Sequence, residues 1–130
     1  MKAMKFRHEV RSAGVALALG TAMLAGPLQA QTVPRSFEAS PDVYKVIAEN
    51  DQVRIIKVAW KPGQKDKFHS HPFAGSYFLT ACSLRHELPD GSKRDTAPAA
   101  GSAYAQAPIA SHAIENIGKS DCELIMFEPR

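Results

Sequence analysis

The sequence predicts an all-β fold, a single small antiparallel β-barrel, preceded by a cleavable leader. From Val43 onward, short runs rich in β-branched and aromatic residues are divided by turn signals roughly every ten residues, the pattern of a sandwich or barrel. No stretch keeps helical periodicity for three turns. About one hundred residues follow the leader, enough for one core but not for two.

Residues 1–30 read as an export signal. Lys2, Lys5, Arg7 and Arg11 form a basic lead, and residues 13–26 are an uncharged run too short to cross a bilayer comfortably. Gly26-Pro27 breaks any helix, and Leu28-Gln29-Ala30 offers a cleavage site. The mature chain should therefore begin near Gln31, in the periplasm or outside the cell. Of the 16 Lys and Arg and 13 Asp and Glu, the leader carries Lys2, Lys5, Arg7, Arg11 and Glu9, so the remainder is nearly neutral. No basic patch is left for a nucleic acid, and no membrane contact is expected after cleavage.

Residues 31–42 hold Pro34 and Pro41 and are predicted to form an extended arm; residues 43–130 form the barrel. Strands are predicted over 44–48, 53–60, 67–71, 76–81, 84–88, 93–96, 102–106, 113–116 and 123–127. The dividers include Pro62-Gly63, Pro72 with Gly75, Pro89-Asp90-Gly91, Pro108 and Gly118. Asp90-Gly91 is the strongest hairpin signal, because glycine tolerates the positive φ of a tight turn between twisted strands. Short connections favour antiparallel pairing, and closing the sheet removes its edges. Cys82 and Cys122 can bridge in an oxidising compartment if the fold brings them together, which sequence leaves open.

The chemistry concentrates in the histidines. In His69-Ser70-His71 the two imidazoles lie two apart on a strand and so share a face, a pincer for a metal ion. Imidazole suits Fe, Mn, Ni or Zn, and three protein ligands with open positions mark a working centre and not a closed structural one. Gly63, five residues, then His69-Ser70-His71 resembles the first motif of the cupins. Gly101, Pro108, His112 and Asn116 resemble the second, with eleven residues from Gly101 to His112 and the His-x-x-x-Asn ending kept. The resemblance implies a small jelly roll in which His69, His71 and His112 converge on a divalent transition metal.

Three departures accompany that resemblance. The usual acidic ligand would fall at Gly75 or Ser76, and neither is a carboxylate. The glycine expected to end the first motif is replaced around Cys82-Ser83. Pro108 comes one residue late, with Ile109 where glycine is usual. A site of three histidines is neutral, so it should hold its ion less tightly and leave more positions to water or substrate.

Other residues take supporting roles in this reading. His86 alternates with Leu84 and Leu88; if it faces inward it is a candidate fourth ligand or base, and otherwise a hydrogen-bonded strand residue. Trp60, Phe73, Tyr77, Phe78, Tyr104 and Phe127 are predicted as core and pocket wall, with Tyr77 or Tyr104 candidates to donate a phenolic hydrogen bond to a metal-bound group. Asn116 should share a face with His112 and orient the site through its amide. Lys61, Lys65, Asp66 and Lys67 read as a solvated rim. The function expected is metal-dependent action on a small organic substrate, by dioxygenase-type oxidation or isomerisation, with a non-catalytic metal- or ligand-binding module as the alternative. Homodimerisation is implied by the resemblance.

Overall fold

The structure, a computed structural model, describes residues 32–130, so the export segment expected over residues 1–30 lies outside it. Along the chain run α1 (Ser36–Ala39), β1 (Tyr44–Glu49), β2 (Val53–Trp60), β3 (His69–His71), β4 (Ala74–Phe78), β5 (Leu84–Glu87), β6 (Lys93–Thr96), β7 (Ala103–Gln106), β8 (Ile109–Asn116) and β9 (Cys122–Pro129). The strands form a five-stranded sheet, β1-β2-β9-β4-β7, and a four-stranded sheet, β3-β8-β5-β6. Every pairing within them is antiparallel.

Alternation decides which side chains turn inward. On β2, Ile56, Val58 and Trp60 are buried between half-buried neighbours, and on β9 Cys122, Leu124, Met126 and Glu128 alternate with Glu123, Ile125 and Phe127. The inward rows meet Leu84 and Ile114 of the other sheet in one core that also holds Val43, Tyr44 and Phe78. Each large side chain so buried stabilises the fold by about 1.5–3 kcal/mol.

Cys82, in the segment entering β5, is bonded to Cys122 at the start of β9, with Cα atoms 5.1 Å apart. The bridge ties the two sheets together. Its partners are 40 residues apart in sequence, a loop whose closure restricts the unfolded chain by about 4 kcal/mol.

The Asp90-Gly91 turn forms as predicted. Gly91 takes φ 82°, a conformation costly for other residues, and Leu88 and Ser92 close the hairpin through Leu88 N–H to Ser92 O at 2.9 Å. Two strands depart most from the expected limits. β4 starts at Ala74 and ends at Phe78, after which the Leu79 and Thr80 amides both donate to Glu123 O. β8 starts at Ile109 because Ile109 pairs with His71, extending the strand past the residues whose composition marks it.

The arm expected to be extended over 31–42 instead contains α1, a single turn. Local bonds suffice for it: Ala39 N–H donates to Arg35 O at 2.9 Å, and the Glu38 carboxylate accepts the Arg35 N–H at 3.0 Å. One turn needs no amphipathic repeat, so periodicity gives no sign of it. The arm is held to β3 by Ser70 N–H, which donates to Pro34 O at 2.8 Å.

Candidate metal centre

Strand register brings the three histidines together. His69 on β3 lies opposite His112 on β8, and His71 lies opposite Ile109, so β8 carries one extra residue between the two pairs. That bulge bends β8 and lets His69, His71 and His112 all face inward. Their ring centroids are 4.6–5.2 Å apart, and one nitrogen from each falls within 4.8 Å of the other two.

Hydrogen bonds fix which nitrogens point inward. His69 Nδ1–H donates to the Lys67 carbonyl at 2.7 Å, and His71 Nδ1–H donates to Glu128 Oε1 at 2.6 Å. Both Nε2 atoms are left as acceptors, 2.9 Å apart. The Tyr44 hydroxyl, 3.3 Å from His69 Nε2, already donates its proton to Asp66 Oδ2 at 2.7 Å. Two facing lone pairs repel unless a cation lies between them. Two nitrogens about 2.1 Å from one ion are about 3 Å apart when they subtend a right angle. His112 Nε2 is buried without any partner among the described residues. The donor set therefore fits a transition-metal ion.

Electrostatics favour ligation too. Burial, reinforced by neighbouring imidazoles, lowers His112 to about 2, and burial likewise lowers His69 to about 4. Both are therefore neutral at physiological pH, the form an imidazole needs to bind a metal.

Two carboxylates surround this cluster, and neither was assigned to it from the sequence. Glu128 is 1% exposed; burial alone would raise its pKa, but the bonds from His71 and from Arg35 Nη2, at 2.8 Å, outweigh that and hold it below the ordinary range. A carboxylate on the far nitrogen of a ligating imidazole fixes its tautomer and strengthens it as a donor. The carboxylate missing at Gly75 or Ser76 is thus matched by one behind His71. Asp66, predicted as solvated rim, is instead buried. Its Oδ1 accepts the Ile114 N–H at 2.6 Å, and its Oδ2 accepts Tyr44 O–H and the Trp60 Nε1–H at 3.1 Å. Burial raises it to about 6 despite those bonds. The flanking Lys65 and Lys67 disguise an inward turn of the chain.

The remaining candidates scatter. His86 faces inward on β5, its ring 6.0 Å from that of His112, but its Nε2 bonds the Thr96 hydroxyl at 3.0 Å and it stands outside the ligating group. Asn116 does not orient a ligand. It is four strand residues, roughly 13 Å, from His112, and its amide holds Trp60 O, Ser120 O and the Gly118 N–H around a turn. Trp60 and Phe78 are core. Tyr104 is 54% exposed and so is not core, but it stacks edge-on to Phe78 and lines the cavity. Tyr77, Phe73 and Phe127 correct the expectation, being 46%, 62% and 45% exposed; Tyr77 and Phe127 fall on outward positions of their strands.

His71 and His112 line a cavity of about 770 Å³ walled also by Trp60, Phe78, Leu84, Ile114 and Met126, and His69 is buried beside them. No family model and no curated protein matches the chain in sequence. Solved structures do match. A cupin domain from Bordetella pertussis Tohama I is 18% identical, superposes with a TM-score of 0.62 and covers 78% of this chain and 99% of that one. The chain has the cupin fold. An RmlC-like cupin with a double-stranded β-helix fold from Methanocaldococcus jannaschii (14% identity, TM-score 0.55) covers 67% of this chain and 78% of its own. A double-stranded β-helix protein from Klebsiella pneumoniae subsp. pneumoniae (17%, 0.54) covers 67% and 75%. At these identities the likeness establishes the fold, and the function of this cupin barrel is argued from its own residues.

Proposed function

We propose that this is an exported, metal-dependent cupin that acts on a small organic substrate in its barrel, by dioxygenase-type oxidation or by metal-assisted isomerisation. The observation that carries the reading is the pair of tautomer-locked Nε2 atoms 2.9 Å apart, with the unpartnered His112 Nε2 beside them, at the end of a cavity. His69, His71 and His112 would hold Fe, Mn, Ni or Zn, which when bound supplies Lewis acidity and, if redox-active, chemistry with O₂.

The chain's own residues do the positioning. Lys67 O and Glu128 keep two imidazoles aimed inward, and Trp60, Phe78, Leu84 and Met126 exclude water from the site. His86, lowered by burial and by Arg94, is a neutral acid–base group on the cavity wall. Tyr104 offers a phenol there. The second reading is a non-catalytic container, and one observation favours it: among the described residues no Asp or Glu lines the cavity, so no carboxylate base is at hand there.

The Cys82–Cys122 bridge supports export, because such bonds persist in oxidising compartments. Exposed Tyr77 and Phe127 on the outer face of the five-stranded sheet support a homodimer through that face. Turnover separates the two readings. Fe(II)-loaded protein should consume O₂, or isomerise its substrate by NMR, with some member of a panel of small carboxylic acids and thiols, and His112→Ala should not. Tight ligand binding with no conversion across the panel moves the assignment to the container.

A further inference from the structure

The charge of the cavity wall is one-sided. Among the described residues no carboxylate lines it, whereas Arg94 does; Lys93 borders it too, but its amine is paired with Glu87. Strand alternation makes that so. On the hairpin of β5 and β6, Arg94 lies opposite His86 and Thr96 lies opposite Leu84, and these four line the cavity. The acids of the two strands take the other face and are already paired there: Asp95 with Nε and Nη2 of Arg85 at 2.8 Å, and Glu87 with Lys65 at 2.8 Å and Lys93 at 3.5 Å. Arg94 has no carboxylate partner among the described residues, although Arg35, Arg54 and Arg85 each have one. From the other sheet, Gln106 brings to the same cavity an amide Nε2 that is buried and has no acceptor. Donors without acceptors and a free guanidinium at the exposed edge describe a space that attracts negative charge.

We propose that the cavity takes a small amphiphilic anion, a carboxylate on an apolar body, with Arg94 pairing the acid group at the mouth and the apolar body lying along Phe78, Leu84, Ile114 and Met126 toward the histidines. The assignment rests on the cavity being the ligand site and adds the class of ligand. It narrows the substrates worth screening to organic acids and gives Arg94 a role in specificity. Gln106 is a second donor to the same ligand.

Trp60 is the single tryptophan of the chain and lines the cavity, so its fluorescence reports occupancy. Metal-free protein is titrated at low salt with 3-phenylpropanoate, 3-phenylpropanol and 3-phenylpropylamine, which share a body and differ in charge. The acid should bind about ten-fold more tightly than the alcohol, the return of one charge-assisted hydrogen bond, and the amine more weakly than either. Arg94→Gln should bring acid and alcohol to parity, and Arg94→Lys should restore part of the preference. Arg94 is exposed, and unchanged melting of both variants confirms that the barrel is intact. Equal binding of acid and alcohol to the unaltered protein, a preference that survives in Arg94→Gln, or no binding of any probe would overturn the proposal. Because metal is absent throughout, failure of the three histidines to bind an ion leaves this result untouched, and the two ideas fall separately.

Discussion

The two sheets share a core but divide the chemistry. Every histidine among the described residues lies on the four-stranded sheet: His69 and His71 on β3, His86 on β5 and His112 on β8. The five-stranded sheet supplies Trp60, Phe78, Leu124 and Met126, and one buried acid, Glu128. One sheet thus sets the spacing of the ligands through strand register. The other closes the space over them and, through Glu128, decides which nitrogen of His71 points inward. The cluster depends on both sheets although only one carries its histidines.

Separating the sheets should have the largest effect. Cys82→Ser with Cys122→Ser removes the disulfide that ties them and should lower stability by about 4 kcal/mol in denaturant titrations. Metal stoichiometry in the folded fraction should stay the same, because neither cysteine approaches the histidines. A loss of metal at full folding would show that the sheets are less independent than the geometry implies.

Glu128→Gln probes the carboxylate through which the five-stranded sheet holds the His71 imidazole. The amide oxygen still accepts from His71 Nδ1–H, but the charge and the Arg35 ion pair are gone. Metal affinity should fall about 10–100-fold by competition titration. Affinity equal to that of the unaltered protein would confine Glu128 to a structural role.

The smallest effect is a pH dependence of the metal-free protein. His69 and His112, lowered by burial to about 4 and about 2, stay neutral in the fold while the unfolded chain takes up protons below about 6.5. The unfolded state then binds more protons, so these groups cost stability as pH falls from 6.5 through 4. Asp66, raised by burial to about 6, acts oppositely, since the fold keeps a proton there that the unfolded chain releases between about 6 and 4. Two histidines outweigh one acid. Thermal melting should therefore move to lower temperature between pH 7 and pH 4.5, and Asp66→Asn should steepen that fall.

What the sequence made legible follows the physics of strands. Alternation and turn residues located all nine strands, and the two-residue spacing of His69 and His71 placed them on one face without knowledge of the partner strand. The third ligand came from a resemblance, since nothing local to His112 says that the β8 bulge will carry it to the pair. Glu128 left a sign that could have been read: it continues the inward row of Cys122, Leu124 and Met126, and a charge on a buried row needs a partner. Asp66 left none, as its neighbours are lysines and its donors Tyr44, Trp60 and Ile114 come from three other strands. Tyr77 and Phe127 were misplaced because aromatic character suggests burial, whereas strand parity turns them outward. Whether Cys82 and Cys122 meet depends on which strands neighbour one another, which composition does not record.

The most direct test of the account is a metal titration of natively prepared, metal-stripped protein followed by calorimetry, beside His69→Ala and His112→Ala. One divalent first-row ion per chain in the unaltered protein, with no stoichiometric binding in either variant and unchanged β-structure by circular dichroism, is the predicted result. No binding by the unaltered protein, or binding retained without His112, would contradict it.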